Sequence, residues 1–332
     1  MALHSTRVAA RRYDGLPWQF AARGYSCMGT IEHLLKLSAP LAWQWAPQLC
    51  RRDPTTNEDC SHVHGVWQYL RLLGLHATIE PRRDFYLNAL RAVRGTARAP
   101  RVLISGAADY SMLDLVVTAF KQEGLAADIT VTDLCETPLA LNRWYSERIS
   151  CNINTVRCDI LDFGTDALFD AVCTDYFLSK FPAARRGALL EKWQSLLRPG
   201  GAVITASRLR PANEGEVARF SPEQVNKLRA TVARVSREMR TLLGVDPDEL
   251  AERAAQYAVK YITHTVHTGE DVRALFEGGG FDVNHLSVET APESGTQEVS
   301  GPTFGVTPRA TLLSSRTAGD HYRAAGKATS DT

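Results

Sequence analysis

Apolar residues repeat on two different periods along this chain, and the change falls near residue 100. Before it they recur at three- and four-residue steps, the spacing of one helix face. Thr30 can cap a helix through IEHLLKLSAPLAWQWA, with Ile31, Leu34, Leu35 and Leu41 in a stripe that Trp43 and Trp45 extend. Pro40 lacks an N–H and crowds the preceding turn, so it should kink or split this helix. After the polar loop Cys50–Cys60, helical spacing returns over Val63–Leu75 and Arg82–Arg94, the latter with Phe85, Ala89, Ala92 and Val93. No convincing strand occurs before Ala97–Pro100, a hinge. Residues 1–97 therefore read as a helical cap and 98–332 as a second domain.

Past the hinge, short β-branched runs alternate with amphipathic segments. Strands are expected at Arg101–Ser105, Ala127–Asp133, Asn154–Cys158, Leu168–Cys173, Ala202–Ala206, Phe281–Glu289 and Ala310–Ser315. Between them lie helices with buried faces, such as Met112, Leu113, Val116, Val117 and Phe120, ended by Gly124. Further helices are expected over Pro138–Ser150 and Ala184–Leu197, the latter stopped by the RPGG of Arg198–Gly201. Strand and helix in alternation imply an α/β fold with a largely parallel sheet. Residues from about 210 to 265 exceed that scheme. Two helices, Pro222–Leu243 behind Ser221 and Pro247–Tyr261, read as an insertion; Asp271–Phe276 is a short helix, and the tail from Thr317 is polar.

Composition narrows the partners. The chain has 332 residues, is 44% hydrophobic and carries a formal charge of +1, so no bulk field attracts nucleic acid. Charge is uneven: residues 1–100 hold 13 Lys and Arg against 7 Asp and Glu, which reads as a solvated basic surface or as affinity for anions. No run reaches the roughly 18 apolar residues of a membrane helix, and seven sparsely spaced cysteines without CxxC fit free thiols in a reducing compartment. A soluble, cytoplasmic protein is expected. His62 and His64 are two apart; His264 and His267 are three apart on an expected helix, with no cysteine or acidic partner beside them. No metal site is expected from these spacings, although either His264 or His267 is a candidate general base.

The chemistry is expected at RVLISGAADYSMLDLVV, Arg101–Val117: a strand, a small-residue turn and a helix start. Small residues let backbone approach a ligand, and a helix N-terminus offers free N–H groups. Strand two then ends in Asp133, which can accept bonds from both hydroxyls of a ribose or cap the next helix. This series, with LLRPGGAVITASR further on, resembles the class I S-adenosylmethionine (SAM) dependent methyltransferase superfamily. Its usual first motif has an acid and three glycines. Here Gly106 matches the first glycine, while Ala108 and Tyr110 stand at the other two and Ile104 at the acid.

The resemblance implies a Rossmann-like seven-stranded sheet, its last strand antiparallel, with SAM as cosubstrate or sole substrate. It implies that Gly106, Ala107 and Ala108 approach SAM, that Asp133 binds ribose with Leu134 on adenine, and that Asp159 and Ile160 read the adenine. The alternative for the last pair is a loop acid and a core isoleucine. It places Thr174, Asp175 and Tyr176 beside the methionine portion, with Asp175, Tyr176 and Tyr110 as the candidate catalytic groups. N-terminal helices often cap the substrate side in this superfamily, which singles out Trp18, Phe20, Tyr25 and Met28 as substrate contacts or as ordinary core. Three outcomes follow for bound SAM. One is methyl transfer to a small molecule. The second is attack of its own amine on the γ-carbon, giving azetidine-2-carboxylic acid and methylthioadenosine; Tyr110 filling space beside the methionine chain would favour it. The third is binding without catalysis. NAD is a fourth, disfavoured by the RPGG segment and the Asp159–Ile160 pair.

Overall fold

The computed structural model describes residues 30–52, 59–76, 78–93, 99–210, 215–292 and 306–316. Trp18, Phe20, Tyr25, Met28 and the tail from Thr317 lie outside the described residues. The N-terminal layer comprises α1 (Thr30–Leu49), α2 (Ser61–His64), α3 (Trp67–Leu72) and α4 (Arg83–Val93). α1 runs unbroken through Pro40 and Pro47, so the expected split does not occur. The alanines Ala39, Ala42 and Ala46 are fully buried, and their packing offsets the hydrogen bonds that the prolines remove.

The α/β part follows as β1 (Arg101–Ser105), α5 (Ser111–Gln122), β2 (Asp128–Asp133), α6 (Glu136–Arg148) and β3 (Ile153–Arg157). Next come β4 (Phe169–Asp175), α7 (Ala183–Leu196) and β5 (Leu197–Arg208). An insertion of β6 (Val217–Ala218), α8 (Pro222–Glu238), α9 (Arg240–Leu243), α10 (Pro247–Lys260) and β7 (Thr263–His264) precedes α11 (Gly269–Gly278), β8 (Phe281–Pro292) and β9 (Val306–Arg316). The main sheet has seven strands in the order β3-β2-β1-β4-β5-β9-β8. β3 through β5 pair in parallel, and β9 runs antiparallel to both β5 and β8.

Side chains alternate across the sheet as the pleat demands. Val102 and Ile104 face a core with α4 and α5, while Leu103 faces another with Leu189, Trp193 and Phe276. The RPGG segment is a bulge in β5 where pairing with β4 shifts register. A Cβ on Gly201 would lie 2.9 Å from the Arg198 carbonyl, so only glycine fits there.

A third core joins parts that the sequence reading kept apart. Leu70 and Tyr69 of α3 pack with Leu228 and Val232 of α8 and with Leu250, Ala254 and Tyr257 of α10. The N-terminal layer and the insertion are thus one helical body. His264 belongs to β7, paired with β6, rather than to a helix, and His267 Nδ1 lies 3.0 Å from the Arg210 carbonyl oxygen. Among the described residues no helix is long and apolar enough to cross a membrane.

Candidate functional site

β1, β2 and β4 end at one edge of the sheet, and there the chain turns away from it. The turn after β1 is held by Gly106, at φ +76°, whose N–H donates to the Thr132 carbonyl at 2.9 Å. An L side chain is disfavoured at that φ. A Cβ would also sit 2.3 Å from the Phe177 ring. Beside this turn opens a crevice of about 460 Å³, within the roughly 300–1,000 Å³ typical of small-molecule sites. Its wall includes Gly106, Ala107, Ala108, Asp133, Leu134, Asp159, Ile160, Asp175 and Tyr176. The structure therefore brings together nine of the residues singled out from the sequence.

Asp133 stands at the end of β2 with both carboxylate oxygens engaged. Oδ2 accepts from the Ala107 N–H at 2.9 Å and Oδ1 from the Cys135 N–H at 2.8 Å. Each oxygen has a second lone pair, so two acceptor positions remain for a diol. Burial pushes its carboxyl up to about 6, against the pull of His64 and of the two amides. Leu134 is 44% exposed at the crevice wall. Asp159 Oδ1 accepts from the Leu161 N–H at 3.0 Å, and Ile160 is buried beneath it.

Two candidates lie elsewhere. Tyr110 is fully buried and stacks on Tyr145, ring centroids 4.7 Å apart, with its hydroxyl 3.0 Å from Ser38 Oγ of α1. It does not line the crevice, because its Cα opens α5 on the side packed against α1 and α6. Thr174 is also buried off the crevice, its carbonyl accepting from the Tyr86 hydroxyl at 2.7 Å.

Asp175 and Tyr176 are present but committed. Arg82, just before α4, grips Asp175 through Nε to Oδ1 at 3.0 Å and Nη2 to Oδ2 at 2.7 Å, and Tyr86 adds a hydroxyl bond at 2.9 Å. Arg82 also donates to the Tyr176 hydroxyl at 2.8 Å. The Tyr176 ring lies near two guanidiniums, Arg82 at 4.4 Å and Arg208 at 4.7 Å from its centroid. Its backbone is at φ +55°, a left-handed conformation rare for so large a residue. Such strain persists only where surroundings hold it, and here the Tyr176 N–H bonds the Ala206 carbonyl at 2.9 Å. Any cation placed against Asp175 or the ring would compete with these arginines.

A second buried pair mirrors the first. Arg71 of α3 reaches Asp109 in the β1–α5 turn and Ser111 Oγ at 2.8 Å. Burial alone would raise the Asp109 carboxyl, but Arg71 and the Ser111 bonds hold it below the usual range. Neither Arg71 nor Arg82 stands out in the sequence as a site residue. Helical period alone marks them as polar residues in amphipathic segments, and nothing local announces their acids.

The crevice wall carries charges of both signs. Asp133 and Asp159 line it at the ends of β2 and β3, and Lys180, Arg185, Arg208 and Arg210 line it after β4 and β5, together with Asp109 and Asp175, which arginines already pair. Beside Asp133, four groups that the histidine spacings did not announce come together as candidate metal ligands. The ligating atoms of Cys50, Cys60, His64 and Cys135 all lie within 4.8 Å of one another. The sequence hid this set because its members come from three separate elements.

No family model and no curated protein matches the chain in sequence. Solved structures resemble it in shape. The N-methyltransferase NodS from Bradyrhizobium japonicum, with S-adenosyl-L-homocysteine, is 13% identical, with 71% of this chain and 86% of that one covered at a TM-score of 0.42. The magnesium protoporphyrin IX methyltransferase of Synechocystis, with SAM, is 11% identical, with 90% of this chain and 100% of that one covered at a TM-score of 0.42. The strand order β3-β2-β1-β4-β5-β9-β8, parallel but for β9, gives the chain the Rossmann-like fold of the class I SAM-dependent methyltransferase superfamily.

Proposed function

We propose that this chain is a SAM-dependent enzyme that transfers the methyl group to a small, anionic acceptor. The observation that carries the reading is Asp133, half-buried at the end of β2, clamped by the Ala107 and Cys135 amides and facing the crevice beside the glycine turn. A ribose diol would complete its hydrogen bonding, with adenine between Leu134 and Ile160 and its amino group at Asp159. The methionine portion would then extend toward Asp175 and Tyr176.

The cations that follow β4 and β5 support the acceptor's charge. Lys180, Arg185, Arg208 and Arg210 concentrate positive charge beyond the expected position of the sulfonium. An anion there would be drawn in and oriented, and alignment of nucleophile, methyl carbon and sulfur is most of what such a transfer requires. Cyclisation of SAM keeps one motive, the missing acid at Ile104, while Tyr110 is not among the residues lining the crevice.

Calorimetry and product analysis test the reading. SAM should bind, and Asp133→Ala should weaken it by about 1.5–3 kcal/mol through loss of charge-assisted bonds. Incubation with SAM and a panel of carboxylate-bearing small molecules should yield S-adenosylhomocysteine only when an acceptor is present. Methylthioadenosine formed without any acceptor would establish cyclisation instead. Binding with no turnover would mean a sensor, and no binding at millimolar SAM would remove the reading altogether.

A further inference from the structure

Three thiols and one imidazole converge where the helical layer meets the end of β2. Cys50 follows the last residue of α1, Cys60 immediately precedes α2, His64 ends α2, and Cys135 immediately precedes α6. Cys50 Sγ lies 3.3 Å from His64 Nδ1, and Cys60 Sγ lies 3.5 Å from Cys135 Sγ. All four ligand atoms fall within 4.8 Å of one another. Zinc bonds sulfur at about 2.3 Å and imidazole nitrogen at about 2.0–2.1 Å, so a tetrahedral set has ligand atoms roughly 3.4–3.8 Å apart. Small side-chain shifts bring this set onto that geometry.

We propose that Cys50, Cys60, His64 and Cys135 bind one zinc ion that fastens the N-terminal helical layer to the cofactor edge of the sheet. The donor set is three soft thiolates and one imidazole, which suits zinc and excludes magnesium and calcium. Four protein ligands leave no open position, so the ion is structural and takes no part in the reaction. The surroundings are arranged for such a role. The Thr137 hydroxyl lies 3.2 Å from Cys50 Sγ, where it orients one ligand. An ion pair between Arg52 and Asp59, at 3.2 Å, and a backbone bridge between the same residues draw together the chain between Cys50 and Cys60. A disulfide would use only two of the four groups, leaving the third thiol and the imidazole turned toward it without a function. Binding exchanges thiol protons for the metal, with no oxidant required.

The site also connects with the crevice. Cys135 donates its N–H to Asp133, and Val63 and His64 form part of the crevice wall. The ion would therefore fix the backbone that clamps Asp133. The zinc assignment itself does not rest on what the crevice binds.

The test is elemental analysis of the full chain, purified under reducing conditions from cells grown with zinc. One zinc per chain is expected, released by a thiol-blocking mercurial and trapped by a chromogenic chelator. Replacement by cobalt should give the intense visible bands of tetrahedral thiolate coordination. Cys60→Ser and His64→Ala should reduce bound zinc at least about tenfold, while His64→Cys retains it as a four-sulfur site. Cys151→Ser, at a thiol outside the set, should leave the content unchanged and so controls for folding. A reduced chain that is metal-free and takes up neither zinc nor cobalt would overturn the proposal. So would iron or copper in place of zinc, a Cys60–Cys135 disulfide in protein handled without oxygen, or full zinc content in the Cys50→Ser/Cys60→Ser double variant.

Discussion

Arg82 holds Asp175 by a two-pronged hydrogen bond, and the two residues stand 93 positions apart in the chain. The arginine side chain is 1% exposed and the aspartate side chain 22%, so the pair sits where the helical layer closes on the end of β4. Removing one member strands the other. Breaking a buried pair typically costs about 3–5 kcal/mol, and Arg82→Ala should lower stability by that order in a denaturant titration. Arg82→Lys keeps the charge but not the fork, and should fall between. An unchanged midpoint for Arg82→Ala would show that the pair has no structural weight.

That relationship also marks where sequence reading stops. Alternating β-branched runs, the turn at Gly106 and the acid at Asp133 are local patterns, and the sheet and the crevice wall at the ends of β1 and β2 follow from them. Arg71–Asp109 and Arg82–Asp175 are not local, nor is the quartet of Cys50, Cys60, His64 and Cys135. Each depends on how α1 to α4 pack over the strands, and a helical stripe says only that a face is buried, not against what. Tyr110 fails for a related reason. Its place in a motif gives its backbone position, whereas the direction of its ring is decided by the space beside α1 and α6.

Gly106→Ala separates two costs at one position. The φ of +76° disfavours any L side chain, by roughly 1–2 kcal/mol. The new methyl also meets the Phe177 ring, 2.3 Å from its nearest atom. Gly106→Ala should therefore weaken ligand binding at the crevice and lower thermal stability together. Adding Phe177→Ala should recover only part of the binding loss, since it relieves the contact but not the backbone. Full recovery in the double variant would mean that the steric contact alone matters.

Tyr110→Phe tests the placement of that ring. Among the described residues, the interaction lost is the hydroxyl bond with Ser38 at 3.0 Å, worth about 1 kcal/mol. The stacking on Tyr145 survives. A modest fall in the melting midpoint is expected, with SAM affinity and turnover unchanged. A large loss of turnover with normal stability would return Tyr110 to the reacting groups.

Tyr176 combines a strained backbone with a ring beside two guanidiniums, and substitutions can take these apart. Tyr176→Phe keeps the cation–π contacts with Arg82 and Arg208 and loses the Arg82 bond to the hydroxyl. Tyr176→Leu loses both, while the φ of +55° remains imposed by the bond to Ala206. If the ring positions Arg208 for an anionic acceptor, Phe should leave the acceptor KM nearly unchanged and Leu should raise it. Cation–π contacts are worth about 0.5–2 kcal/mol each, so the rise should be about twofold to thirtyfold, with the KM for SAM little affected. Steady-state kinetics with each substrate varied in turn reads the two constants separately. A Leu variant that loses SAM affinity instead would place the ring against the sulfonium, with the arginines displaced from its face when the cofactor binds.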